Sequence, residues 1–321
     1  MNTLFRLFLI IAIGFSFLNT AGAVTKNTQT KLALNWKAEP EFAGFYTAQI
    51  NKFYEKNKLD VEILQGGAGT PTVQMIGAGQ VDFGIVSGDE IVIARSRGAD
   101  VVALFAVFQK APYAFMLREE SPIKDMKELF NSDSTIAVVK GLPYVSFLEK
   151  KYGFEKVKIV PYAGGISSFV SSKNFVQQSF ISSEPLLAAK QGVKTKTLLV
   201  ADAGFNPYTV VLATNGETLK KKPEIVKAMI KSVKEGWRAY LKNPRPTHEL
   251  IAKLNPAMNV DAMDEMHKIE ATLIENEDTK KHGLGSMDEK RWFELSTQLQ
   301  DLKLTEKLVS PKEIYFSNKK R

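Results

Sequence analysis

LALNWKAEPEFAGFY, residues Leu32–Tyr46, is the stretch on which the reading of this chain turns. Leu32 and Leu34 alternate as one face of a strand, and from Ala43 and Tyr46 onward the apolar spacing becomes helical. Asn35, Trp36, Glu39, Glu41 and Phe42 lie between, at the carboxyl end of the strand. In an open α/β sheet that edge is where ligands bind. A loop tryptophan with amide and carboxylate neighbours suits stacking on, and hydrogen bonding to, a small polar ring. The same residues would also serve as a core aromatic with a solvated acidic turn.

Outward from this stretch, Ala43, Tyr46, Ile50, Phe53 and Tyr54 predict a helix, and Leu59, Val61 and Ile63 a strand. Gly66-Gly67-Ala68-Gly69 follows, with Thr70 as helix cap and Pro71 in the first turn. Glycine-rich backbone opening a helix offers N–H groups to a polar ligand. The missing GK[ST] ending excludes a phosphate-binding P-loop. VDFGIV (Val81–Val86) is a buried strand, Ser87-Gly88-Asp89-Glu90 opens a helix, and Val101–Phe108 is a continuous apolar strand. Alternating strands and helices imply a parallel sheet. The loops Trp36–Phe42, Gly66–Thr70 and Ser87–Glu90 then converge on one edge. Asn35, Trp36, Phe42, Tyr46, Gly66, Gly67, Gly69, Thr70, Ser87 and Asp89 are the first half of a candidate ligand-binding set.

The pattern then restarts. Ala114–Leu117, Thr135–Val139, Val157–Val160, Val176–Ile181 and Lys196–Val200 read as strands of a second, smaller α/β lobe. The loop Pro161–Ser168 repeats the form of Gln65–Thr70: strand, Gly-Gly, hydroxyl, helix. Ser182-Ser183-Glu184-Pro185 opens another helix, where Glu184 either favours the helix dipole or binds a ring N–H or exocyclic amine. Tyr162, Gly164, Gly165, Ser167, Glu184 and Tyr208 complete the candidate set. Thr209–Thr214 is a strand, and Ile225, Met229, Val233 and Trp237 then lie four apart on one helical face. Helices from about 261 to 276 and from 287 to 299 are expected to pack on the first lobe. Two crossings between lobes, near Gln109–Tyr113 and Asn206–Thr209, would form a hinge.

Composition sets the class. The 321 residues are 44% hydrophobic and 24% charged, enough for about two domains. Arg6, the apolar run Leu7–Leu18 and Ala21-Gly22-Ala23 read as a secretory signal with Val24 as the first mature residue. The run is shorter than the ~20 residues needed to span a bilayer. Cysteine is absent, so no disulfide staples the fold and no lipidated cysteine follows the signal. Net charge is +8, or +7 without Arg6, scattered as in Lys220–Lys222 and Lys319–Arg321 and without a nucleic-acid motif. The three histidines, His248, His267 and His282, all lie in the C-terminal helical region, away from the candidate loops. No cofactor, metal site or catalytic residue is expected.

The sequence resembles the periplasmic substrate-binding proteins of ABC transporters, in the branch of alkanesulfonate-, taurine- and nitrate-binding proteins and binders of thiamine-pyrimidine precursors. The resemblance spans the whole mature chain. It rests on LNW and GFY (Leu34–Trp36, Gly44–Tyr46), LDVEI (Leu59–Ile63), GAGQVDFGIV (Gly77–Val86), SSEP (Ser182–Pro185) and DAGFNPY (Asp202–Tyr208). It implies an α/β, type II-like periplasmic binding protein, two-lobed with a hinge, with C-terminal helices on lobe 1. Residues 1–23 would be the signal peptide, 24–109 and 209–321 the two parts of lobe 1, and 110–208 lobe 2. Pyrimidine-precursor binders, and a similar yeast pyrimidine-forming enzyme, carry Trp, then Pro-Asn, then His before the helix. Here Trp36 and Tyr46 match, Ala38, Glu39 and Phe42 replace the Pro, Asn and His, and Glu184 stands for the second-lobe acid. The lost histidine argues against enzyme chemistry.

The resemblance further implies a monomeric periplasmic receptor that closes over a small heterocyclic metabolite and delivers it to an inner-membrane permease. Its partners would be that ligand and the permease, not nucleic acid. A small anion such as a sulfonate or nitrate is the alternative ligand, and a pyrimidine-synthase-like enzyme the alternative function.

Overall fold

In the computed structural model residues 27–317 are described; the expected signal segment lies outside them. Ten strands carry the architecture: β1 (Thr28–Ala33), β2 (Leu59–Leu64), β3 (Phe83–Val86), β4 (Val102–Phe108), β5 (Tyr113–Arg118), β6 (Thr135–Val138), β7 (Lys158–Pro161), β8 (Phe175–Phe180), β9 (Thr195–Leu199) and β10 (Thr209–Thr214). They form two five-stranded sheets, ordered β2-β1-β3-β10-β4 and β7-β6-β8-β5-β9.

The two sheets have the same plan. β1 pairs in parallel with β2 and β3, as β6 does with β7 and β8. In each sheet one strand that has just crossed from the other lobe is inserted antiparallel: β10 between β3 and β4, and β5 between β8 and β9. Parallel pairing brings the ends of β1, β2 and β3 to one edge, and those of β6, β7 and β8 to the matching edge of the second lobe. The loops after β2 and β7, Gly66–Thr70 and Tyr162–Ser167, are therefore topological counterparts. Neither the antiparallel insertions nor the strand order could be read from apolar periodicity, which fixes a strand's faces and not its neighbours.

All seven residues of β4 are buried, although it ends the strand order. Its free edge is covered by bridges from Ala106 to Gly285 and from Ala103 to Tyr315, which hide unpaired backbone. The helices Pro223–Lys242, Arg245–Leu254 and Val260–Ile274 pack on the first sheet: Met229, Trp237, Ile251 and Met266 share a core with Leu32, Phe83 and Ile85. The helix Glu289–Asp301 also reaches the second lobe, since Trp292 and Leu295 join a core containing both Val86 and Phe115.

Two local expectations are corrected. The helix expected through Tyr54 breaks into Ala43–Ile50 and Phe53–Lys56, because Lys52 adopts a left-handed conformation with φ 56°. The helix after the Gly66–Gly69 turn starts at Thr72, with Pro71 rather than Thr70 at its cap.

The lobes are joined by the two segments between β4 and β5 and between β9 and β10, and these are tied to each other. Ala111 N–H donates to Asn206 Oδ1 at 2.9 Å. Arg291 donates to the carbonyls of Gln109 (2.6 Å), Asn206 (3.0 Å) and Pro207 (3.2 Å). Just beyond, Val210 has φ 51°, a strained conformation for a β-branched residue.

Candidate functional site

The loop after β1 projects its tryptophan. Trp36 is 38% exposed, an unusual placement for so large an apolar side chain. The loop is rigid from behind: Ala38 N–H donates to Gln65 Oε1 at 2.9 Å, and Gly66 N–H donates to the Trp36 carbonyl at 2.9 Å. Gly66 must be glycine, because a Cβ there would lie 2.3 Å from the Leu34 carbonyl oxygen. The indole N–H of Trp36 donates to Glu39 Oε1 at 3.1 Å, which fixes the ring plane.

From the second lobe, Tyr162 donates its hydroxyl to Glu184 Oε1 at 2.9 Å, while Glu184 Oε2 accepts from Phe180 N–H at 2.9 Å. Tyr113 stacks on Tyr144 with centroids 5.1 Å apart and planes at 19°. Tyr144 is held by donating to Gln178 Oε1 at 3.1 Å. Tyr144 belongs to the helix following β6, the counterpart of the segment that carries Trp36.

Carboxylates link the two sides. Burial raises Glu39 above the ordinary carboxylate range against the Trp36 hydrogen bond, and the charge of Glu184 across the cleft adds to the rise. Glu41 is pushed up to about 8, by burial first and then by Glu39 and Glu184. Glu270, on the helix Val260–Ile274, is 3% exposed. Burial raises it well above the usual range, with Glu41 and Glu39 adding to the effect and the Ser182 hydroxyl opposing. Burial likewise raises Asp89, and Asp89, Glu90 and Glu41 all act on Tyr113. Aromatic rings and carboxyl groups from both lobes thus meet where the lobes face each other, inside a chain of net charge +8.

The structure therefore brings together Trp36, Tyr162 and Glu184 of the residues expected from sequence, with Asp89 beside Tyr113 and Asn35 next to Trp36. Asn35 Oδ1 is buried without a partner. Phe42 and Tyr46 are corrections: at 0% and 3% exposure they belong to the first-lobe core and present no face to a ligand. Tyr208, 2% exposed, braces the hinge by packing on Trp292 and accepting at its hydroxyl from Asp288 N–H. The glycine loops also differ from expectation. Gly67 N–H is taken by the Thr70 hydroxyl at 2.8 Å, so that part of the turn closes on itself. Gly69, Gly164 and Gly165 hold positive φ, as such turns require, and Gly165 accepts from Gln177 Nε2. Ser87 closes its own helix start: its N–H donates to Glu90 and its hydroxyl to Asp89. Ser167 is exposed in the first turn of its short helix.

Sequence reasoning missed Tyr113, Tyr144, Gln178 and Glu270. Tyr144 was open to discovery through the repeat of the first lobe's plan. Glu270 gave no signal, being one acid on a helix rich in them. Among the described residues no group of His, Asp and Glu could hold a metal ion, and no helix is long and apolar enough to cross a membrane. His248 pairs with Asp264 and Tyr240 inside the first lobe, remote from the cleft in role.

Comparison with known proteins agrees with this architecture. A family model described as NMT1/THI5 like matches residues 39–247. The riboflavin-binding protein RibY of Chloroflexus aurantiacus is 23% identical over 280 residues, covering 82% of this chain and 78% of the relative. A 4-amino-5-hydroxymethyl-2-methylpyrimidine phosphate synthase of Candida albicans is 22% identical over 243 residues, covering 71% and 72%. Among solved structures, the periplasmic aliphatic sulphonate binding protein SsuA from Escherichia coli superimposes with a TM-score of 0.71 at 14% identity, covering 90% of this chain and 92% of that one. The fold is that of the periplasmic binding proteins.

Proposed function

Because the chain belongs to the NMT1/THI5-like family and has the periplasmic binding protein fold, we propose that it is the solute receptor of an ABC importer. It captures a small aromatic heterocycle by closing two lobes and presents the closed form to an inner-membrane permease. The observation that carries this reading is the meeting of ring and carboxyl pairs from both lobes: Trp36 with Glu39 on one, Tyr162 with Glu184 on the other, and Glu39 coupled to Glu184 between them. A ring slipped between such pairs gains stacking and apolar burial, while the carboxylates accept its N–H groups. Together these suffice for micromolar binding, about −8 kcal/mol.

RibY and the pyrimidine phosphate synthase, by their names, both handle nitrogen heterocycles, which supports the ring reading over the anion one. A sulfonate or nitrate would meet unpaired carboxylates in the cleft. The test is mass spectrometry of the ligand released from purified protein, followed by calorimetric titration of that compound into the wild type, Trp36→Ala and Glu184→Gln. Unchanged affinity in both variants would refute the assignment of the site.

One feature favours a catalytic second reading: burial pushes Glu41 up to about 8, where a carboxyl group could move a proton. Product formation from a pyrimidine or pyridine substrate, lost in Glu41→Gln, would establish it.

A further inference from the structure

The cleft gathers more carboxyl groups than a neutral heterocycle needs. The helix Val260–Ile274 that bears Glu270 packs against both the short helix Pro40–Phe42 that bears Glu41 and the second-lobe helix Glu184–Lys190, which gathers Glu39, Glu41, Glu184 and Glu270 from both lobes. Among the described residues none of these four takes part in an ion pair, although thirteen ion pairs occur elsewhere. Among those residues the one cation acting on Glu39 is Lys37, and none acts on Glu41 or Glu270. Glu270 is a separate and sharper sign: it is 3% exposed and its Oε2 has no partner. A buried carboxylate oxygen without a partner is costly, and natural structures keep one where something else completes it. The rings of Trp36 and Tyr162, hydrogen-bonded to Glu39 and Glu184, offer the negative faces that attract organic cations.

From this juxtaposition we infer that the ligand is a planar organic cation, its charge borne on or beside the ring and met by Glu41 and Glu270. The inference rests on the receptor reading above and narrows it. A pyridinium, an amidinium or a protonated aminopyrimidine fits, since each combines a stacking face with charge-assisted donors. Without the cation Glu41 is pushed up to about 8, by burial first and then by the charges of Glu39 and Glu184. Substituting these acids should then stabilise the empty protein while weakening its hold on the ligand, the trade expected of a residue kept for binding.

The experiment uses the mature chain and two matched series, 1-methylnicotinamide with nicotinamide and nicotinate, and benzamidine with benzamide and benzoate. Each is titrated by calorimetry and by thermal shift. The cation of each series should bind at least about tenfold more tightly than its neutral partner. In Glu41→Gln and in Glu270→Gln that ratio should fall severalfold while the melting temperature of the empty protein rises. Neutral members that bind as well as the cations, or a ratio unchanged in both variants, would overturn the charge assignment and leave the aromatic receptor intact. Tightest binding by the anions, or no binding by any ring in either series, would remove both readings.

Discussion

Arg291 lies flat on Tyr208, with the guanidinium carbon 3.8 Å from the ring centroid. The same guanidinium fastens both inter-lobe segments through the carbonyls of Gln109, Asn206 and Pro207. One side chain from the C-terminal helix Glu289–Asp301 thus holds the two crossing segments to each other and to the first lobe. The clamp therefore ties the two segments so that neither can be pulled from the other without breaking its hydrogen bonds.

Arg291→Lys should therefore destabilise the protein more than its conserved charge suggests. An ammonium has no planar fork to reach three carbonyls and stack on a ring. Hydrogen bonds to a charged group contribute about 1.5–3 kcal/mol each, and the loss should be about 2–3 kcal/mol after lysine recovers part of it. Urea unfolding monitored by tryptophan fluorescence checks the magnitude. A midpoint within error of wild type would mean that the clamp is incidental.

Trp36→Ala should leave unfolding nearly unchanged, since the ring is substantially exposed, yet weaken ligand binding by about 1–3 kcal/mol through lost burial and stacking. Tyr162→Phe keeps the ring and deletes only the hydroxyl that donates to Glu184. It should cost about 1 kcal/mol of affinity by freeing that carboxylate. Titration of the co-purified ligand into both variants separates the two effects.

The sequence and the structure agree most where a pattern is local. Alternating or continuous apolar runs located the ten strands, and the change from Phe108 to Tyr113 marked a crossing because a buried strand ends in Gln109-Lys110 before another begins. Trp36 was legible because a tryptophan beside Asn, Glu and Pro does not continue a core face. Phe42, Tyr46 and Tyr208 were misplaced because a loop position or a helical spacing shows where an aromatic lies along the chain, and cannot tell a core from a cleft. Glu270 and Arg291 were illegible because each acts far from its own segment, and only the packing of the C-terminal helices brings them to the cleft and the hinge.

Stability should fall as pH rises from about 7 to 8.5. Glu41, pushed up to about 8, and Glu270, raised well above its usual value, both have folded values above their unfolded ones, so the folded state holds more protons in this range. Their contribution is full below the unfolded carboxylate range and is lost on rising through the folded values, near 8 for Glu41. Buried His248 and His267, lowered chiefly by burial, act in the opposite sense only on the acid side of their usual range. Thermal unfolding of the empty protein should show a lower midpoint at pH 8.5 than at pH 7, and Glu41→Gln should flatten the decline. A midpoint that climbs over this interval would contradict the carboxylate assignments.

The GFY motif has a packing reason that sequence alone does not supply. At Gly44 a Cβ would lie 2.1 Å from the indole of Trp237, and at Gly236, on the facing helix, 2.2 Å from the Gly44 carbonyl oxygen. The helices Ala43–Ile50 and Pro223–Lys242 thus approach at a point where neither can carry a side chain. Trp237 is fully buried and has no room to retreat. Gly44→Ala should cost about 3 kcal/mol or more, the upper end for overpacking, despite the better helix propensity of alanine. Gly67→Ala is the control, because a Cβ there meets nothing within 4 Å. Chemical denaturation of the pair should show a large drop for Gly44→Ala and none for Gly67→Ala; equal midpoints would show that the two helices can separate without loss.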